Sequence, residues 1–220
     1  MKIIARIKTD LKEKFGIPRQ SGLVPELKGR IIFEPEYKDE NAVRGLDGFS
    51  HIWVIWRFDG FDGEKWSPTV RPPRLGGNKR MGVFATRSPN RPNPIGLSLL
   101  KLDKIENGEL YVFGVDMRDG TAIYDIKPYL KITDCRPDAV DGFAEETAKQ
   151  TSNVTFECDT DMLTKAELKA VKQMLEQDPH PSYKTEPDRL YGMKYKDFNV
   201  RFYVKDACVY VKEIKNDSVK

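Results

Sequence analysis

Hydrophobic and polar positions alternate along Lys2 to Lys8, as in a strand with one face buried. Arg30 to Phe33 offers a second short strand, and Val43 to Phe49 runs into the turn residues Leu46-Asp47-Gly48. His51 to Phe58, HIWVIWRF, is β-branched and aromatic without clear alternation. It is either a strand buried on both faces or part of a barrel wall, with His51 as a core or rim side chain and Trp53 and Trp56 as core. Met81 to Thr86 predicts a short buried strand between two stiff loops. Ile95 to Ile105 and Leu110 to Val115 flank Asn107-Gly108, the strongest hairpin signal in the chain. Asp119-Gly120 marks a further turn. Ile123 to Tyr129 is short and extended, which puts Asp125 and Lys127 on one face. Through about Gln150 the pattern is that of short strands with turn signals, a sandwich or a barrel.

The periodicity changes near Val154. Thr164 and Glu167 have capping-box spacing, and Leu163 with Leu168 makes a hydrophobic staple. Leu168, Val171 and Leu175 then share one helical face, and Asp178-Pro179 ends the helix. Val200, Phe202 and Val204 alternate with Arg201, Tyr203 and Lys205 in a strand to which Cys208 to Ile214 can return as a partner. The expected class is mainly β: a barrel domain over residues 1–150, then a small α+β domain over residues 155–220.

Composition narrows the function classes. With 39% hydrophobic and 32% charged residues the chain reads as a globular, soluble protein. The N-terminal segment lacks the apolar core of a signal peptide, and no apolar run is long enough to span a bilayer. Three scattered cysteines and two histidines argue against a disulfide framework, a metal site or a histidine triad, and favour a cytoplasmic location. There is no GxGxxG after a strand, no Walker loop, no GxSxG and no HExxH.

Charge is concentrated in residues 71–100, RPPRLGGNKRMGVFATRSPNRPNPIGLSLL. Arg71, Arg74, Lys79, Arg80, Arg87 and Arg91 stand there without an acidic residue, in a protein of net charge only +3. Pro72, Pro73, Pro89, Pro92 and Pro94 stiffen the segment, so a ligand that orders it costs little entropy. A preorganised cationic surface suits RNA. The alternative is a solvated loop whose arginines cap carbonyls. Residues 156–220 hold 12 Lys/Arg and 12 Asp/Glu, so the excess charge lies in the first 155 residues, with 25 and 22.

The motifs FGIPRQSGL, VRPPRLGGN, GVFATRSPNRPNPIGLSLLKL and DGTAIYDIKPYL, in this order, resemble the TsaA-like family, whose characterised bacterial members are TrmO-type tRNA (adenine N6)-methyltransferases. The resemblance runs from about Ile4 to Tyr129. It continues in the tail, where DPHPSY and RLYGMKYKDFNVRFYV resemble the TrmO-type C-terminal domain.

That resemblance implies a β-barrel enzyme that uses S-adenosylmethionine without a metal. It would methylate N6 of N6-threonylcarbamoyladenosine next to the anticodon of a tRNA, from a pocket at a homodimer interface. Motif by motif, it implies cofactor contacts at Pro18, Arg19, Gln20, Arg87, Leu97, Asp119, Gly120, Thr121 and Ala122. It adds Asp59 and Gly60, where family members often have a histidine followed by a polar residue. Ala122 stands where the family usually has proline. Asp125 is the candidate proton acceptor, and Lys127 or Arg87 can stabilise negative charge on the neighbouring carbonyl oxygen. Arg71, Arg74, Arg80 and Arg91 are expected to attract the RNA backbone. Arg189, Tyr191 and Arg201 are expected to orient the anticodon arm, helped by Asn199. A chain ending near Glu157 is expected to keep cofactor binding. The alternatives are a non-catalytic RNA-binding barrel and a methyltransferase of the same fold with another substrate.

Overall fold

The computed structural model describes residues 1–60, 66–72, 79–147, 151–179 and 189–217. In its first half, β1 (Ala5–Thr9), β2 (Lys28–Phe33), β3 (His51–Arg57), β6 (Ile95–Glu106), β7 (Glu109–Phe113) and β8 (Ala122–Pro128) close into a barrel. The strand order is β1-β2-β7-β6-β3-β8, and β8 returns to β1. Two-residue strands β4 (Thr69–Val70) and β5 (Met81–Gly82) pair apart from it.

Alternation sets the barrel wall. Ile52, Val54 and Trp56 point inward from β3, while Trp53, Ile55 and Arg57 form its half-buried outer face. Thus HIWVIWRF is barrel wall, Trp56 is core, and Trp53 lies outside, donating from its indole Nε1 to Asp134 Oδ2 at 3.0 Å. Ala5, Ile7, Ile31, Leu100, Leu110, Val112 and Ile123 fill the interior, each large aliphatic side chain contributing about 1.5–3 kcal/mol by leaving water. The β6–β7 hairpin turns on Asn107 and Gly108, both at positive φ (53° and 71°), as a two-residue primed turn requires.

The expected strand over Met81–Thr86 is not continuous. After Gly82 the backbone turns into the 3-10 segment Val83–Ala85. Only Met81 and Gly82 have strand partners, and the Val83 amide donates to the carbonyl of Pro68, which ends the ladder.

The second half is a sheet in the order β10 (Tyr191–Tyr195), β11 (Phe198–Lys205), β12 (Cys208–Asn216), β9 (Asn153–Phe156), with β9 parallel to β12. The helix Lys165–Glu176 buries Ala170, Val171, Met174 and Leu175 and opens with the Thr164/Glu167 capping box. Glu167 also binds Lys196 Nζ at 2.7 Å. That bond, more than the Thr164 cap, lowers its carboxyl to about 2.

One hydrophobic core runs through both halves, joined by the β1–β2 connection, residues 10–27. Leu11, Val24 and Leu27 are buried there, and Phe15 stacks on Tyr191 and Phe202 with centroids 6.3 and 6.2 Å away. The Lys196 amide donates to the Asp10 carbonyl, and Lys12–Asp197, Lys194–Glu13 and Lys169–Glu26 are ion pairs across the same seam. Among the described residues no helix is long and apolar enough to cross a membrane.

Candidate active site

The strand directions gather the sequence-predicted positions at one end of the barrel. Thr9 ends β1 opposite Gly29 of β2, Arg57 ends β3 opposite Ile95 of β6, and Ala122 opens β8 opposite Arg6. Phe113 ends β7 opposite Lys28. The 10–27 connection, Asp59-Gly60, the 87–94 loop and the 114–121 connection therefore share one mouth.

At this mouth β6 runs past the end of β7, leaving Gly96 to Leu99 without a β7 partner. The 10–27 connection fills the gap. Ser21 Oγ accepts from the Leu99 amide at 3.0 Å, and the Gly22 amide donates to the Gly114 carbonyl at 2.9 Å. Gln20 is thereby set beside Arg87, whose Nη1 donates to its Oε1. Leu97, next along, leaves 56% of its surface exposed, an apolar wall open to a ligand.

Asp116 joins this group, and sequence reasoning did not select it. Gly96 has no side chain, so the Trp56 indole lies over it, where any Cβ would collide with the ring. The Trp56 Nε1 donates to Ser98 Oγ at 2.8 Å, and Ser98 Oγ donates to Asp116 Oδ1 at 2.6 Å. Burial pushes the Asp116 carboxyl up to about 6, opposed by the Ser98 hydroxyl, backbone amides at Asp116 and Ser21, and the Arg87 charge. A signal was present in IGLSLL. Ser98 occupies an inward position among apolar residues, and a buried hydroxyl needs a partner.

Other predicted residues serve the framework. Pro18 is buried. Arg19 turns to the second half, its Nη2 donating to the Asp178 carbonyl at 3.1 Å. Asp119 Oδ1 accepts from the Thr9 amide at 2.9 Å, the Gly120 carbonyl accepts from Arg6, and Thr121 and Ala122 are buried. Asp59 pairs with Arg118 at 3.1 Å, tying the end of β3 to the 114–121 connection, and Gly60 adopts φ 79°. Asp59 thus reaches the mouth with a carboxylate and binds a cation.

Asp125 and Lys127 form an ion pair at 2.9 Å on the outer wall, their side chains 45% and 62% exposed. Asp125 Oδ1 also accepts from the Ile126 amide. Leu97, Ile55 and Asp125 lie on one rung across β6, β3 and β8, which puts Asp125 about 10 Å from Leu97 across two strand spacings.

The proposed RNA contacts differ in kind. Arg71 is exposed, and Arg74 lies outside the described residues. Arg80 donates to Thr69 Oγ1. Arg91 follows the carbonyl-capping alternative: its Nη1 donates to the carbonyls of Val83, Thr86 and Ser88. Its guanidinium also lies 5.7 Å from the Phe84 ring centroid. Phe84 is 71% exposed and stacks with Trp66, itself 50% exposed, at 6.4 Å. This exposed aromatic pair in basic surroundings was not selected from the sequence. In the second half Arg189 lies over Tyr191 and Arg201 pairs with Glu213 at 3.7 Å. Tyr191 is half-buried against Phe15 and Phe202, so its ring helps hold the two halves together.

The segment that carries Pro18 to Gln20 is therefore supported from both sides, by the barrel and by the β10–β11 sheet. This runs against the expectation that the barrel alone suffices for the cofactor.

Comparison with known proteins finds relatives over most of the chain. Residues 6–135 match the model of the tRNA-methyltransferase O N-terminal domain, and residues 142–217 match that of the TrmO C-terminal domain. The chain is 42% identical over 217 residues to the tRNA (adenine(37)-N6)-methyltransferase of Escherichia coli K12, covering 93% of this chain and 92% of that protein. It is 38% identical to a putative S-adenosylmethionine-dependent methyltransferase of Pseudomonas aeruginosa, with 91% and 90% covered. A crystal structure of TrmO from P. aeruginosa superposes with a TM-score of 0.78 at 30% identity, over 97% of this chain and 95% of that one. The chain belongs to the tRNA-methyltransferase O family.

Proposed function

We propose that this protein is a cytoplasmic, homodimeric tRNA methyltransferase. It transfers a methyl group from S-adenosylmethionine to N6 of N6-threonylcarbamoyladenosine next to the anticodon. The observation that carries this reading is the convergence of Gln20, Arg87, Leu97 and Asp116 at one mouth of the barrel, in a chain of this family. The mouth offers an apolar wall with groups of both charge signs beside it, which fits a ligand with a nucleoside portion and an amino-acid portion. Gln20, Arg87 and Leu97 would hold it. Pro18, Arg19, Asp59, Gly60 and Asp119 to Ala122 keep the surrounding loops in place. When bound, the cofactor supplies a methyl group activated on a sulfonium.

The protein's own work is positioning and proton transfer. A ureido N–H is a poor nucleophile because its lone pair is delocalised, so losing its proton as the new bond forms lowers the barrier. Asp125 would accept that proton, and Lys127 would stabilise the charge growing on the adjacent carbonyl oxygen. In the free protein the two neutralise each other at 2.9 Å. A substrate carbonyl that draws Lys127 away would leave the Asp125 carboxylate free to take the proton. The aromatic pair Trp66 and Phe84, with Arg91 beside it, suits an unstacked RNA base. Residues 1–150 would carry the reaction, and residues 155–220 would orient the anticodon arm while bracing the 10–27 connection.

The test is a tRNA nucleoside profile. A bacterial strain lacking its own enzyme of this kind should lack methylated threonylcarbamoyladenosine and regain it when given this chain. An unchanged profile, or a methyl group on another nucleoside, would refute the assignment.

A further inference from the structure

The mouth holds one carboxylate, Asp116, to which no role has been given. Its surroundings are built. Oδ1 is fixed by Ser98, Ser98 is fixed by Trp56, and Trp56 is seated over Gly96. Such a relay fixes a carboxylate in one orientation, which a mere space-filling role does not require. Across the mouth stands Arg87, whose guanidinium donates to Gln20 instead of to Asp116. A fixed anion, and near it a cation bonded to a neutral amide, form a site with both charges on offer. An α-amino acid is a ligand of matching pattern, with a carboxylate and an ammonium on one carbon.

We propose that Asp116 and Arg87 form a clamp for the amino-acid end of the cofactor, Asp116 receiving its α-ammonium and Arg87, with Gln20, its α-carboxylate. The inference rests on the reading of this mouth as the cofactor site. Both bonds are charge-assisted, the class in which loss of one partner is most costly. No covalent change is involved, so Asp116 acts in binding and positioning.

The electrostatics give a second signature. Arg87 is the charged group that faces Asp116, from the 87–94 loop. Ser98 and Trp56 from the barrel strands and Ser21 from the 10–27 connection are neutral. Protonation of Asp116 near pH 6 removes the acceptor charge while an amino acid stays zwitterionic, since its α-amino group titrates well above that pH and its α-carboxyl well below it. Affinity for the amino-acid end should therefore fall as pH drops through about 6.

The experiment is calorimetry on the full chain with two probes, S-adenosylhomocysteine and 5′-methylthioadenosine. The second keeps the adenosine and sulfur but lacks the amino-acid end. Asp116→Asn should weaken S-adenosylhomocysteine about 10-fold or more, leave 5′-methylthioadenosine within about 2-fold, and flatten the acid fall in affinity. Arg87 is exposed, so Arg87→Gln carries the same comparison without disturbing the core should Asp116→Asn not fold. Equal weakening of both probes would make Asp116 a structural residue and overturn the clamp, as would unchanged affinity for S-adenosylhomocysteine. A wild-type chain that binds neither probe nor S-adenosylmethionine would overturn the cofactor reading itself, a result distinct from either.

Discussion

Gly16 is the point at which the 10–27 connection meets the second half of the molecule, and Gly16→Ala tests that junction. The residue has φ +89°, and a Cβ built on it lies 2.5 Å from Met193 Cγ and 2.6 Å from its sulfur. Left-handed backbone costs a non-glycine residue about 1–2 kcal/mol. Met193 is fully buried, so making room adds an overpacking cost of about 1–3 kcal/mol. The sum is about 2–5 kcal/mol, or a fall in Tm of roughly 5–15 °C for a chain of this size. Gly45→Ala is the control. Its φ is +82°, but nothing lies within 4 Å of the new Cβ, so it isolates the backbone term. Calorimetric unfolding gives the stability change, and titration with S-adenosylmethionine gives the affinity. Gly16→Ala should lose markedly more stability than Gly45→Ala and should also bind cofactor more weakly, because Gln20 lies four residues on. Equal Tm losses would refute the packing argument. A large Tm loss with unchanged affinity would refute the link from the junction to the mouth.

Three further outcomes are expected. A chain ending at Glu157 should lose cofactor binding, since Phe15 and Gly16 then lose Tyr191, Phe202 and Met193; titration showing wild-type affinity would count against the bracing role. Glu167→Gln should cost about 1 kcal/mol at neutral pH, the pair with Lys196 being partly screened by solvent. The Glu167 carboxyl is depressed from 4.5 to about 2, so its contribution is present above pH 4.5 and is lost as pH falls towards 2. Denaturant unfolding at pH 7 and pH 3 should show the gap between wild type and variant narrowing in acid, and a constant gap would contradict the assignment. Phe84→Ala, at an exposed site, should leave Tm and cofactor affinity unchanged and weaken tRNA binding by about 1–3 kcal/mol, measured by filter binding at fixed salt; unchanged tRNA affinity would remove Phe84 from the RNA surface.

Much of the fold was legible because its signals are local. Asn107-Gly108 specifies its own hairpin, and Thr164 with Glu167 specifies its own helix start. The Val200, Phe202, Val204 alternation faces the core as expected, with Val200 and Phe202 fully buried. Met81–Thr86 looked like a strand because its residues favour one, yet a strand needs a partner, and β4 supplies only two residues. Trp53 looked like core on composition, but it falls on the outward positions of β3.

In the site, the resemblance to a family brought Gln20, Arg87 and Leu97 forward, and the strand directions bring them together. Asp116 stayed hidden because its meaning comes from Ser98, which reaches it across the barrel end, 18 positions away in sequence. The bracing of the 10–27 connection stayed hidden for the same reason. Phe15 and Gly16 meet Tyr191, Met193 and Phe202 only once both halves have folded.

The central claim is a substrate and a reaction. It is tested most directly by supplying the purified protein with S-adenosylmethionine carrying a labelled methyl group. Two preparations of one tRNA are then compared, identical except for the threonylcarbamoyl group on the adenosine next to the anticodon. The account predicts label on N6 of the modified adenosine and none in the unmodified tRNA, because the acceptor nitrogen must sit beside the ureido carbonyl that Lys127 is proposed to polarise. Equal labelling of the two tRNAs, or labelling of neither, would contradict it.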